Sequence, residues 1–226
     1  MIVSANTSSP NELSSSSCSA WVQRFASLIP HNQGPVLDLA CGSGRHTRLL
    51  LDAGYDVWAL DKDASLLEPL AQSGARIFHA DLEAAPEPLT SLPPSVSPSG
   101  PHSSPLNCYW PFTPGSFAGI VVCNYLHRPL FPFLKSALSN NGILIYETFC
   151  EGNAAFGRPR NPDFLLRSGE LLQQLESDPQ SDQQNHVIAY EHGYVENPRP
   201  AMMQRICVRS MSKLGNPPSI QLLDKI

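Results

Sequence analysis

The stretch Val36-Leu-Asp-Leu-Ala-Cys-Gly-Ser-Gly-Arg-His46 places a carboxylate, Asp38, four residues ahead of a Gly-x-Gly turn. Glycines at 42 and 44 let the chain bend sharply and let a ligand approach backbone that carries no Cβ. The helix expected to follow offers unpaired N–H groups. Such a turn suits a nucleotide-like ligand, and two kinds fit it. A dinucleotide fingerprint needs a third glycine, Gly-x-Gly-x-x-Gly, and Thr47 stands at that position. A carboxylate at Asp38 is badly placed for a diphosphate and well placed for a ligand carrying an ammonium and a sulfonium. Asp61, with Lys62 after it, ends a second apolar run where an acid accepts hydrogen bonds from ribose hydroxyls. Asp81-Leu82, past a third run, pairs a polar group with an apolar neighbour, as an adenine edge requires. Each acid also has a plainer use: Asp38 fixing the turn, Asp61 capping a helix that starts near Ala64, Asp81 a similar local role. Cys41 reads as a small residue in a tight turn, not a nucleophile.

A second group follows later apolar runs: Cys123-Asn-Tyr-Leu-His-Arg-Pro129, Glu147-Thr-Phe-Cys-Glu-Gly-Asn153 and Phe156-Gly-Arg-Pro-Arg-Asn-Pro-Asp163. His127 is the candidate general base, its ordinary pKa being about 6.5; the alternative is a helix-start residue bonded to backbone. Tyr125 offers a ring or hydroxyl to orient a reacting group. Asn124, a polar side chain leaving an apolar strand, contacts a ligand or caps the next turn. Arg128, Arg158 and Arg160 form an expected basic rim, suited to carboxylate or phosphate, with Glu147 beside it as a further acceptor contact. A solvated loop, or ion pairs to Glu147 or Glu151, is the competing reading. Glycines 152 and 157 and Pro159 make Cys150 to Asp163 a candidate lid. His46 is placed to touch the carboxylate of a bound ligand. The other histidines show no metal-ligand spacing, and no metal is expected.

These residues need elements to position them. Apolar runs at Val36–Ala40, Asp56–Leu60, Arg76–His79, Phe117–Cys123 and Gly142–Thr148 predict buried strands. Helical patterns fall at Ala20–Leu28, Gly44–Ala53, Ala64–Gln72, Leu130–Leu138 (with Pro132 forcing a late start) and Gly169–Glu176, the last capped by Ser168. His186–Val195 and Met202–Arg209, joined by a proline-marked link, predict an antiparallel hairpin. The fold class expected is α/β: a doubly wound, Rossmann-like seven-stranded sheet, mostly parallel, with a C-terminal antiparallel hairpin strand.

At 226 residues the chain suits one domain with extensions. A disordered tail is expected over 1–19, a domain over 20–210 interrupted by a Pro/Ser-rich surface insertion at 86–114, and a C-terminal tail over 211–226. The net charge of −5 gives no global field toward nucleic acid or an anionic membrane. No apolar run approaches the roughly 18 residues of a membrane span. No Lys or Arg precedes Arg24, so neither a secretory signal nor a transit peptide is expected. The six cysteines form no Cys-x-x-Cys pair and read as reduced thiols in a cytoplasmic protein.

Val36-Leu-Asp-Leu-Ala-Cys-Gly-Ser-Gly44, Leu60-Asp61 and Ala80-Asp-Leu82 together resemble the class I S-adenosylmethionine-dependent methyltransferases, over about residues 30 to 209 outside the insertion. The loops after the fourth and fifth strands are similar to a bacterial-type group likened to tellurite-resistance methyltransferases. The resemblance implies S-adenosyl-L-methionine as cofactor. Gly42 and Gly44, with Asp38 and Ala40, would meet its amino-acid portion, Asp61 with Lys62 its ribose, Asp81 and Leu82 its adenine, and Asn124 its reactive end. Asn124-Tyr125 lacks the Pro-Pro of methyltransferases that act on planar amino groups. A small-molecule acceptor is the first expectation, since no appended recognition domain is visible, and RNA the second. The protein is expected as a monomer or homodimer. A non-catalytic cofactor-binding protein and a nicotinamide-dependent oxidoreductase are the readings from other classes.

Overall fold

The computed structural model describes residues 18–84, 109–176 and 183–212. Most of the expected tails and insertion lie outside them. Seven strands form one sheet: β1 Val36–Leu39, β2 Val57–Asp61, β3 Arg76–His79, β4 Phe117–Cys123, β5 Leu138–Phe149, β6 Gln183–Val195 and β7 Ala201–Ser212. Their order is β3-β2-β1-β4-β5-β7-β6. The first five are parallel and β7 runs antiparallel to both neighbours. All four residues of β1 are buried, as a parallel strand covered on both faces requires. The order reverses between β1 and β4, so the glycine turn and the Asn124 loop open at the same end of the sheet.

Among the described residues five α-helices cover the faces: α1 Ala20–Phe25, α2 Arg45–Asp52, α3 Ala64–Leu67, α4 Phe131–Ala137 and α5 Glu170–Leu175. Ser19 caps α1 by accepting from the N–H groups of Trp21 and Val22. α3 is shorter than its pattern predicts, because the chain tightens into a 3₁₀ turn at Glu68–Leu70, around Pro69. α5 is not capped by Ser168. Gly169, at φ 72°, takes the cap position, and the Glu170 carboxylate accepts from the N–H of Arg167 instead. No helix among the described residues is long and apolar enough to cross a membrane.

The expected surface insertion ends inside the core. Trp110 and Phe112 are buried, and Phe112 packs on Trp58, Phe78 and Phe117 while Trp110 stacks on Phe133. Among the described residues no helix lies between β3 and β4, so these aromatics cover the sheet face that a crossover helix would otherwise bury. The Tyr109 N–H donates to the Leu82 carbonyl at 3.2 Å, returning the chain beside the point it left. Deleting Pro88–Ser104 is therefore expected to leave the melting temperature nearly unchanged by calorimetry; a loss of cooperative unfolding would show that this stretch packs on the core.

Candidate functional site

β1 carries Asp38 to the base of the glycine turn, where it is 1% exposed. Its Oδ2 accepts the Thr47 hydroxyl at 2.6 Å. Burial drives the carboxyl up to about 6, against the hydroxyl and N–H of Thr47, which pull it down. The residue that breaks the dinucleotide fingerprint is thus the one that holds the acid.

The turn above is left-handed at three points, Ala40, Gly42 and Gly44, with φ of 53°, 55° and 75°. The strained Ala40 is held by the neighbouring bonds from Cys41 N to Leu60 O and from Gly44 N to Cys41 O, each 3.0 Å. The two glycines serve different ends. A Cβ at Gly42 would meet nothing within 4 Å, leaving open backbone for a ligand, whereas one at Gly44 would sit 2.4 Å from Leu70 Cδ2.

Asp61 ends β2 and closes the turn from the side. Its Oδ2 accepts from Gly42 N at 2.8 Å and its Oδ1 from Asp63 N at 2.9 Å. Asp63, not Asp61, caps α3. Each Asp61 oxygen keeps a second lone pair for a hydroxyl donor. Lys62 is exposed and lies 3.8 Å from Glu83. Asp81 shapes its own turn by accepting from Glu83 N at 2.9 Å, while Leu82 is buried in the core.

Asn124 follows β4 in the left-handed region, at φ 57°, exposed, with its N–H on the Glu147 carbonyl at 2.9 Å. Tyr125 is half-buried. Burial raises its phenol above the usual range, and the Glu83 carboxylate hydrogen-bonded to it, with Asp81 and Asp61 near, raises it further. Asp61, Asp81, Glu83 and Tyr125 therefore converge at the ends of β2, β3 and β4. His127 makes no capping bond, and its Nε2 is buried with no hydrogen-bond partner among the described residues. Burial lowers its pKa, against Glu83 and Asp81, and so favours the neutral ring.

Other expected site residues are engaged elsewhere. Arg128 forks onto Glu170 at 2.6 and 3.0 Å and donates to the carbonyls of Asp163 and Leu165. Burial alone would raise the Glu170 carboxyl, but the bonds from Arg128 and Arg167 hold it below its ordinary value. Glu147 is buried on β5 with its Oε2 3.1 Å from Arg205 Nε. Arg158 and Arg160 are exposed, without Arg128 as a third member of a rim. The expected lid is fastened down: buried Asn153 donates to the Pro159 carbonyl at 3.1 Å and accepts from Met202 N at 3.2 Å. His46 is turned from the turn's mouth, accepting from Ser19 N at 3.1 Å, and burial lowers its pKa to about 4. No cluster of three or more His, Cys, Asp or Glu among the described residues is arranged to hold a metal.

Sequence reasoning missed Glu83 and Glu170 and read Thr47 only as an absent glycine. Glu83 was findable, two residues past Asp81; Glu170 carries no local signal, its partner being 42 residues away.

No protein-family model matches the sequence, and no curated protein matches it. Solved structures do. TehB from Haemophilus influenzae superposes with a TM-score of 0.57 at 16% identity, covering 84% of this chain and 60% of its own. An S-adenosylmethionine-dependent methyltransferase from Mesorhizobium loti gives 0.55 at 18% identity, over 84% of this chain and 98% of that one. One from Methanosarcina mazei gives 0.57 at 13% identity, over the same shares. At these identities the likeness is one of fold. The chain has the fold of the S-adenosylmethionine-dependent methyltransferases, with their seven-stranded mixed sheet.

Proposed function

We propose that this protein is an S-adenosylmethionine-dependent methyltransferase. The observation that carries the reading is the buried Asp38 carboxylate beneath an open glycine turn. A diphosphate there would be repelled by the buried carboxylate, whereas an ammonium and a sulfonium would be stabilised by it. That choice also sets aside the nicotinamide reading. Asp38, Ala40, Gly42 and Gly44 would hold the amino-acid end of the cofactor, Asp61 with Lys62 its ribose, and Asp81 with Leu82 its adenine; Asn124 borders the reactive end. When bound, S-adenosylmethionine supplies an electrophilic methyl group on sulfur. Asn124 and Tyr125 orient the acceptor, and His127 takes its proton where the acceptor arrives protonated. A small molecule is the favoured acceptor, given the net charge of −5. RNA is the second reading and rests on the exposed Arg158 and Arg160; strongly salt-dependent binding would favour it.

The test is thermal shift with S-adenosylmethionine, S-adenosylhomocysteine and NAD(H). A rise with the first two alone supports the reading; a rise with NAD(H) alone overturns it. Asp61→Ala is expected to weaken S-adenosylhomocysteine binding by about 2 kcal/mol, roughly 30-fold, because a charge-assisted bond and the clasp on Gly42 go together. An unchanged Kd by calorimetry would sink the ribose assignment.

A further inference from the structure

The loops after β3 and β4 meet across the crevice at the glycine turn. In the order β3-β2-β1-β4, those two strands flank β2 and β1, which carry Asp61 and the turn itself. At about 4.8 Å per strand, their ends stand roughly 14 Å apart. Their side chains nevertheless close the gap. Leu82, after β3, and Leu126, after β4, are buried in the same core cluster, and half-buried Tyr125 packs against it. Beside them the Tyr125 hydroxyl donates to the Glu83 carboxylate. That bond joins the two rims of the crevice.

Both partners are also held from outside. The Tyr125 carbonyl accepts the hydroxyl of buried Tyr146 at 2.8 Å, and the Asn124 N–H just before it donates to the Glu147 carbonyl at 2.9 Å. The Glu83 N–H donates to Asp81 Oδ1 at 2.9 Å, and Glu83 Oε1 lies 3.8 Å from Lys62 Nζ. Tyr125 is therefore fixed through its backbone from the β5 side and through its hydroxyl from the β3 side, with the ring between the two anchors. The hydroxyl proton is committed to Glu83, so Tyr125 meets a ligand through its ring. One anchor neighbours Asn124, at the reactive end; the other neighbours Asp81 and Leu82, assigned to adenine. A planar ring held along that line suits the face of a nucleoside.

We propose that Glu83 is a positioning residue: by holding the Tyr125 hydroxyl it sets the Tyr125 ring as one wall of the nucleoside slot. The occupant of the slot rests on the methyltransferase reading; the wall rests on the bond between the rims. Glu83 acts by accepting a hydrogen bond, and its charge is not required.

Calorimetric titration of the full chain with S-adenosylmethionine and S-adenosylhomocysteine tests this, with thermal melts to check folding. Glu83→Ala is expected to weaken both ligands about 5-fold. Glu83→Gln, whose amide oxygen still accepts the phenol, is expected to keep most of the affinity. Tyr125→Phe removes the same bond from the other side. It is expected to cost about 5-fold, and the pair Glu83→Ala with Tyr125→Phe also about 5-fold, not about 25-fold. Tyr125→Leu, which removes the wall itself, is expected to cost more than either. Equal losses in Glu83→Gln and Glu83→Ala, or a loss confined to the sulfonium ligand, would mean that Glu83 acts through its charge and overturns the proposal. Losses that multiply in the pair overturn it too. Normal wild-type binding that Glu83→Ala leaves unchanged sinks the proposal alone; no binding of either nucleoside to the wild type sinks the methyltransferase reading and the proposal together.

Discussion

Arg128→Ala is expected to lower stability by about 3 kcal/mol, read as a drop in the denaturation midpoint at constant slope. Glu170 is only 1% exposed, and Arg128 supplies two of its hydrogen bonds while also satisfying the carbonyls of Asp163 and Leu165. Truncation leaves a buried carboxylate with Arg167 alone, whose side chain lies at 3.4 Å and largely in solvent. Removing both charges, as Arg128→Met with Glu170→Leu, should recover part of the loss, since the penalty comes from the orphaned charge. It should not recover all of it, because the two carbonyls and the Arg167 N–H lose partners as well. Equal losses in the single and double variants would show that the ion pair itself holds these loops. Cofactor affinity should be nearly unchanged in either variant, since the clamp lies outside the glycine turn.

The second large effect is one of pH, and it is masked in the wild-type protein. His46 has its pKa lowered from 6.5 to about 4, so the folded state binds fewer protons, and its contribution is lost as pH falls from about 6.5 to 4. Asp38 has its pKa raised from 3.8 to about 6, so its contribution is full below 3.8 and lost as pH rises through 6. Each is on the order of 3 kcal/mol, with opposite sign over nearly the same window. The two therefore cancel between about pH 6 and 4. Relative to wild type, His46→Gln should gain about 3 kcal/mol on going from pH 7 to 4, and Asp38→Asn should lose a similar amount. Denaturation curves at several pH values test this, and parallel profiles for all three proteins would refute it. Groups shared by the three drop out of the differences.

Much of this was legible from residue order alone. A strand buried on both faces tolerates no idle charge, so Asp38 stood out within Val36–Leu39, and the glycine spacing located the turn beside it. The hairpin was marked by its prolines. What stayed hidden depends on contacts across distance. Arg128 looked like a free basic group because Glu170 sits 42 residues on in another element. Glu147 looked available because strand pairing with Arg205 cannot be read from either residue. Trp110 and Phe112 were overlooked because proline and serine dominate the stretch around them, and composition averages away two anchors. His46 took its partner from Ser19, at the edge of a segment read as tail.

The placement of β7 between β5 and β6 bears on how the chain is made. The Trp21 indole N–H donates to the Ile206 carbonyl at 3.2 Å, joining residues 185 positions apart. Synthesis is vectorial, so α1 leaves the ribosome long before β7 exists. Its apolar face of Trp21, Val22 and Phe25 packs in one core cluster with Val36, Val57, Val121 and Ile145, all made before β7, and the bond to Ile206 is added last. β6, made before β7, has no strand to pair with either, because its only neighbour in the finished sheet is β7. A chain stalled before Ala201 thus presents an open sheet edge at β5 and an unpaired β6 to the quality-control machinery.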